Sequence, residues 1–439
     1  MDSSPPSSTT DSPATPNRPR EIFAWAMYDW ANSGYSTISI TVLLYYMQEI
    51  VWPKKTGEVV WAWGIGLSML VAALLSPVLG ALADANCSKR KWLAFTAFSG
   101  ASLAVLLACV PPEFAYLVTA LFVLTCLMFE LSLGFYNGFL PELADEKSMN
   151  RISAWGYGLG YLGGASALVV AILINQFGDR IGLPDLSDRL RAGILVMGLW
   201  WGLFTLPVIW VLRDRGRPPR RREPLRQATA AALREVRRTL GRIRLFPMLA
   251  LFLLGFLVYN DGIQTVISQS GTFAKSEPLN FSVGDLGLVI LVVQLIAFPG
   301  AVLVGRLSDR IGQKSMLNIC LAVWVGLLVA AWFVTTQLQF WILAMALALV
   351  MGGTQSVSRA IMGMMTPPNR TAEFFGFFNF SGKATSFLGP VLFGLIIYFG
   401  GTPRQAILSL LFFFLVGWAI VARIDVHEGR RQALQEETH

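Results

Sequence analysis

Gly80-Ala81-Leu82-Ala83-Asp84, trailed by Lys89-Arg90-Lys91, and Gly305-Arg306-Leu307-Ser308-Asp309, trailed by Arg310 and Lys314, are two copies of one pattern set 225 residues apart. Each stands where a long apolar run gives way to a short basic one. A repeat on this scale bears on the architecture before any local reading, because it divides the chain into two like units. Two further pairs support the division. Asn150-Arg151 and Asn369-Arg370 lie 219 residues apart, and Asp29-x-x-Asn32-Ser33-x-x-Ser36 answers to Asp261-x-x-Gln264-Thr265-x-x-Ser268 at 232. In that last pair the positions i, i+3, i+4 and i+7 share one helical face. A polar stripe turned to hydrocarbon would be costly, so both stripes are expected to face a cavity or another helix.

The chain as a whole is 54% hydrophobic and only 14% charged, too little charge to cover a soluble surface. A helix needs about 20 mostly apolar residues to cross a bilayer. The runs fit spans at about 22–50, 59–83, 92–110, 114–138, 153–176, 190–212, 246–273, 283–306, 314–335, 338–363, 372–399 and 403–423. The expected fold is an all-α membrane protein with twelve transmembrane helices in two pseudo-symmetric six-helix halves, related by an axis along the membrane normal. The halves cover 22–212 and 246–423. A Pro/Ser/Thr-rich tail at 1–21 is expected to be disordered, and 424–439 reads as a C-terminal tail. Leu225, Ala228, Ala232, Val236, Leu240 and Ile243 recur at steps of three or four among arginines in the linker 213–245. Such a segment is either an amphipathic helix on the membrane surface or a solvated basic linker.

Basic residues set the orientation. With the N-terminus inside, 26 of the 35 Lys and Arg fall on the cytoplasmic side and 7 on the other, with Arg359 and Lys383 inside spans. Both termini are therefore expected in the cytoplasm, and a bacterial inner membrane is the expected location. The net charge of +8 follows from this bias and gives no reason to expect a nucleic-acid partner. His427 and His439, both near the C-terminus, are the only histidines, so a histidine metal centre or proton relay within the spans is excluded. Cys87, Cys109, Cys126 and Cys320 have no disulfide or metal spacing. Gly382-Lys383 lacks the first glycine and the hydroxyl residue of a phosphate loop. No cofactor and no enzymatic activity are expected.

The G-x-x-x-D pattern followed by basic residues resembles the helix 2–3 signature of the major facilitator superfamily. The second copy, Asp309-Arg310-Ile311-Gly312-Gln313-Lys314, is close to the family pattern; the first lacks its glycine and early arginine. More specific runs resemble the "unknown major facilitator" family, which includes the fungal vacuolar amino-acid effluxers. They are Tyr28-Asp29-Trp30-Ala31-Asn32-Ser33, Tyr136-Asn137-Gly138 through Leu143, Gly158 through Gly164, Tyr259-Asn260-Asp261-Gly262-Ile263-Gln264-Thr265, Gly352 through Arg359, and Glu373 through Lys383. The resemblance implies a carrier of small solutes, with amino acids as the suggested class, either uncoupled or ion-coupled.

Ionisable groups inside a span are read as functional by default. Asp29, Glu130, Asp261 and Lys383 are thus candidates for a substrate or proton site, together with Asn32, Ser33, Asn137, Asn260, Gln264 and Thr265. For each carboxylate the competing reading is a structural hydrogen bond between helices, and for Lys383 it is snorkelling to the interface. Gly80, Asp84, Arg90, Gly305, Asp309 and Arg310 would form gating loops, with Arg359 and Glu373 as a gating or structural ion pair. The glycines of helix 5 read as a close-packing face, and Trp25, Trp61 and Trp63 as interface anchors. The expected function is secondary transport of a small organic solute, with the lipid bilayer as environment and protons as candidate coupling ion. A lipid or lipid-precursor translocator on the same fold is the alternative, which would need an apolar half-cavity. A monomer is the expected state.

Overall fold

The computed structural model describes residues 19–53, 55–85, 89–139, 149–214, 246–365 and 385–435, with a few isolated positions between them. The first helix, α1 (Pro19–Ile38), runs on through two π-helical stretches, Ser39–Leu43 and Tyr46–Val51. After it come α2 (Lys55–Ala85), α3 (Lys89–Cys109), α4 (Ala115–Asn137), α5 (Met149–Phe177) and α6 (Leu186–Val211). The second half comprises α7 (Pro247–Lys275), α8 (Val283–Ile311), α9 (Gln313–Phe333), α10 (Gln337–Met365) and α11 (Leu388–Tyr398). It closes with α12, in two segments Pro403–Ser409 and Leu411–Ala422. Nine helices among the described residues are long and apolar enough to cross a membrane. The polar stripe of α1, the shorter apolar part of α8 and the short described part of α11 keep those three below that measure. The linker 213–245 lies outside the described residues apart from Arg213, Asp214, Ala230 and Arg234.

Local chemistry explains the helix starts. Ser282 and Asp285 form a capping box at α8, and Thr402 and Gln405 form another at α12, each satisfying orphan amides of the first turn. Pro247 opens α7, where its missing N–H costs nothing. Between α8 and α9 only Gly312 intervenes, at φ +87°, a conformation open to glycine and strained for other residues. That glycine is the one the second G-x-x-x-D copy carries.

Within the first half, α1 packs on the glycine face of α5. A Cβ on Gly163 would stand 2.4 Å from the Trp30 carbonyl oxygen and 2.6 Å from its Cα. One on Gly160 would meet the Ser33 hydroxyl at 2.8 Å, and one on Gly156 the Asp29 carboxylate at 2.7 Å. Gly158 has open space instead, so the close-packing role expected of these glycines belongs to one side of the helix.

Two expectations need correction. Residues 424–439 are not a plain tail: a further helix, α13 (Val426–Gln435), follows α12. It docks because Gly429 fits against Met365 and Met248, and Ala433 is buried. Its first turn is capped by Asp425, whose carboxylate accepts from the His427 and Glu428 amides at 2.9 and 3.1 Å. Trp25 and Trp61 are not interface anchors. Both are buried, because each indole N–H has a carbonyl partner inside the protein: Tyr136 at 3.1 Å and Ser268 at 3.1 Å. Trp63 remains exposed, against Tyr398.

Two outcomes follow for stability. Gly163→Ala should lower the melting temperature, at a cost of about 1–3 kcal/mol for overpacking, because backbone cannot yield as a side chain can. Gly158→Ala should leave it unchanged or raised. The Glu428 and His427 amides hold the Asp425 carboxyl below its ordinary pKa. A depressed pKa means this cap is complete above the unfolded value and is lost as pH falls through the folded one. Protection of the 427–430 amides, taken relative to their intrinsic exchange at each pH, should therefore fall on acidification below the usual carboxylate range, and constant protection there would contradict it.

Candidate functional site

The two in-membrane aspartates are both engaged. Asp29, on α1, accepts from the Tyr136 hydroxyl of α4 at 2.7 Å and from Asn32 at 3.3 Å. Tyr136 is held in turn by Trp25, which stacks on its ring at 4.6 Å and donates to its carbonyl. The bare Cα of Gly156 leaves space for the carboxylate. Arg359 is half-buried on α10. Its expected companion Glu373 lies outside the described residues, as does Lys383.

Asp261, on α7, is 1% exposed. Its carboxylate accepts the Gly389 amide at 3.1 Å, near the start of α11. Asn260, one residue earlier, donates to the Gly382 carbonyl at 2.8 Å, and Ser386 donates to the same oxygen at 2.7 Å. A turn at 385–387 separates these two points. Thus α7 supplies an acceptor to the free N–H on one side of that turn and a donor to the carbonyl on the other. Helix ends leave such groups without intrahelical partners, and inside a membrane no water replaces them. Gly389 is required here, since a Cβ would lie on the Thr265 hydroxyl. Thr265 itself donates to the Asp261 carbonyl at 2.7 Å. Gln264 is half-buried on α7.

The remaining expected residues disperse. Glu130 is half-buried on α4. Asn137 ends α4. Gly80 and Asp84 fall at the end of α2, and Gly305 and Asp309 at the end of α8. Arg310 is exposed there. Arg90 is committed within its own half: its amide donates to Asp214 at 2.9 Å and its guanidinium to the Leu212 carbonyl at 3.3 Å, where α6 ends.

A cavity of about 270 Å³ opens beside the α1 stripe. Its polar liners come mostly from the first half: Ser33, Ser36 and Thr37 of α1, and Tyr161 of α5. Thr37 accepts from Gln294 of α8 at 3.3 Å, and Gly164 leaves the space in which they meet. The opposite wall is apolar, built from α7 to α10 by residues such as Val266, Val289, Leu328 and Leu347. Protein interiors seldom keep gaps beyond a water molecule, so a space this large reads as a ligand pocket. Sequence reasoning missed Tyr136 as the Asp29 partner, although it heads the Tyr136-Asn137-Gly138 run, and it missed Thr37 and Gln294.

Among the described residues, one group of hydrogen bonds that join the halves lies at the end away from the start of α1, beyond the Gln294–Thr37 bond at the cavity. Gln48 donates to Thr272 at 2.9 Å, Lys275 pairs with Glu49 at 2.9 Å, and Trp61 donates to the Ser268 carbonyl. Gly271 permits this approach, with a Cβ there 2.9 Å from the Ile40 carbonyl.

The family model described as "Vacuole effluxer Atg22 like" matches residues 54–434. The chain belongs to this Atg22-like family. It is similar to the uncharacterized MFS-type transporter YxiO of Bacillus subtilis, with 31% identity over 91% of this chain and 93% of that one. It is also similar to autophagy-related protein 22-1 of Neosartorya fischeri, at 29% identity over 66% of this chain and 50% of the fungal protein. The match thus spans about half the length of the fungal relative. Among solved structures, a mutant of the nucleoside transporter NupG superposes with a TM-score of 0.66 at 16% identity, covering 92% of this chain and 99% of that one. The xylose transporter XylE from E. coli, in an inward open conformation, gives 0.65 at 12%, covering 92% and 96%. The fold is that of the major facilitator superfamily, and this Atg22-like protein is a multi-pass membrane transporter rather than an enzyme.

The clamp on α11 has a measurable consequence. Asp261→Ala leaves the buried Gly389 amide without its acceptor, which should cost about 1–3 kcal/mol. Asp261→Asn keeps an acceptor oxygen and should cost less. Thermal unfolding of the two variants in matched lipid would show the order, and equal loss would refute the capping role.

Proposed function

We propose that this protein is a secondary transporter that moves a small organic solute by alternating access, with the solute held between the halves beside the α1 stripe. The observation that carries the proposal is the placing of the contacts between halves. Among the described residues a group of them lies at the end away from the start of α1, Gln294 meets Thr37 further along, and the cavity lies beside them along α1. Those contacts are weak enough to part. Glu49 is 43% exposed in its pair with Lys275, and a pair of that kind contributes about 0.2–1 kcal/mol. Lys275 also donates to Gln48 and Lys55 to the Gly400 carbonyl, each at a long 3.4 Å, and the neutral hydrogen bonds from Gln48 to Thr272 and from Trp61 to Ser268 each add about 0.5–1.5 kcal/mol net. Rocking of one half on the other, as in carriers built from repeats, requires such a reversible seam.

Both termini lie in the cytoplasm on this reading, which follows the basic-residue bias, and the membrane is the bacterial inner membrane. Protons are the proposed coupling ion, with Asp29 and Asp261 as the carboxylates. The kinship with vacuole effluxers supports export of small solutes and makes amino acids the first class to assay.

Reconstituted protein should exchange labelled solute across a vesicle membrane. Asp261→Asn and Lys383→Ala should each slow that exchange about tenfold or more, the worth of one charge-assisted hydrogen bond, while eluting as folded protein. Normal flux in both variants would remove this site assignment. Flux that ignores an imposed pH gradient would remove proton coupling and leave transport standing. Replacing Lys275 with Gln should raise the accessibility of Thr272, changed to Cys as a reporter, to a thiol reagent added from the far side. Unchanged labelling would show that the Glu49–Lys275 pair takes no part in closing that end.

A further inference from the structure

We infer that the transported solute is an amphiphile whose apolar part enters the α7–α10 wall of the cavity while its polar part faces α1. This rests on the transporter reading above and names the class of solute that the site would take. The lining of the cavity is two-sided. Ser33, Ser36 and Thr37 line the α1 side, where Ser36 donates to the Ser33 carbonyl at 3.2 Å and Thr37 accepts from Gln294 of α8, leaving the Ser33 and Thr37 hydroxyl protons for a ligand. On the other side the two polar groups that line the cavity have their protons engaged. Ser270 donates to the Ile267 carbonyl at 3.1 Å, and the Trp324 indole donates to Thr354 at 3.1 Å.

A ligand polar all round would leave its donors and acceptors unmatched against that wall, which is costly in a dry site. A ligand apolar all round would offer no acceptor to the Ser33 and Thr37 hydroxyls. An amphiphile satisfies both walls in one orientation. Size agrees: the cavity, about 270 Å³, exceeds the about 150 Å³ that accepts benzene in an engineered core. It therefore has room for an alkyl or aryl group well beyond one ring. A membrane lipid chain offers the same chemistry as a soluble amphiphile, so the test must separate the two sources.

Trp324 is fully buried and lines the cavity, which makes it a built-in reporter. The full chain in nanodiscs of saturated lipid would be titrated with ω-bromoalkanols of increasing length. The Trp324→Phe variant would identify the share of quenching that Trp324 contributes. In the native chain that quenching should strengthen about fourfold per added methylene and then stop strengthening once the cavity is filled. Ala344→Phe and Val293→Phe, which fill the cavity from α10 and α8, should abolish it. A second arm uses nanodiscs made with brominated acyl chains and no alkanol, where Trp324 should stay bright. The inference is overturned if affinity keeps rising with chain length as it does for partition into bilayers, if both filled variants are quenched like the native chain, or if brominated lipid alone quenches Trp324. Quenching as expected with no flux of any solute would instead remove the transporter reading and leave the cavity assignment intact.

Discussion

A carboxylate inside a bilayer has to find its donors within the protein, because the surrounding hydrocarbon offers none. Much of the arrangement around the candidate site follows from meeting that demand twice. Asp29 takes a hydroxyl from α4 and an amide from its own helix. Asp261 takes a backbone amide at the start of α11. Neither arrangement is possible unless a glycine on the facing helix brings the backbones together, and Gly156 and Gly389 occupy those positions. A side chain there would push the helices apart and leave a polar group unsatisfied. Helix packing and charge satisfaction are thus one constraint, met by small residues on α5 and α11 opposite acidic ones on α1 and α7.

The two solutions are not copies. The Gln48–Thr272 contact joins residues 224 apart, within one residue of the offset between the G-x-x-x-D copies. The aspartates are 232 apart, seven residues beyond that offset. Seven residues are two helical turns, about 10 Å of rise. The face is preserved and the level is not. Asp29 sits nearer the start of its helix, while Asp261 stands at the level of Ser36 and Thr37. The stripes therefore resemble each other in sequence while acting at different depths. One lies beside the α1–α4–α5 junction, and the other beside the turn that precedes α11.

This separates what was legible in the sequence from what was not. Apolar runs of twenty residues and more have few soluble explanations, so the twelve spans and the two halves could be read directly. Helix 1 could be read through to its end although its last turns are π-helical, since hydropathy is blind to that distinction. The clamp on α11 joins residues 128 apart on separate helices, and no periodicity reports such a bond. The cavity is harder still. Its apolar liners are the same Val, Ile and Leu, at the same spacing, as those of a closed core. Trp25 and Trp61 misled for a related reason: an indole near a span end belongs to the interface unless a carbonyl inside the protein accepts its N–H. The helix after residue 425 was hidden by its polarity, and packing of Gly429 and Ala433 places it.

The uneven lining of the cavity bears on how a rocking carrier could keep hold of its cargo. Hydrogen bonds are directional and weaken steeply when their geometry is disturbed. Apolar contact is non-directional and scales with area removed from water. A solute gripped by hydrogen bonds from both halves would have to break one set whenever the halves rotate. A solute whose polar end is held by α1 and whose apolar end rests in the α7–α10 wall would keep its bonds to one half. It would slide against the other with little change in buried area. Hydroxyls concentrated on one half and hydrocarbon on the other thus suit a site that must stay occupied while its walls move.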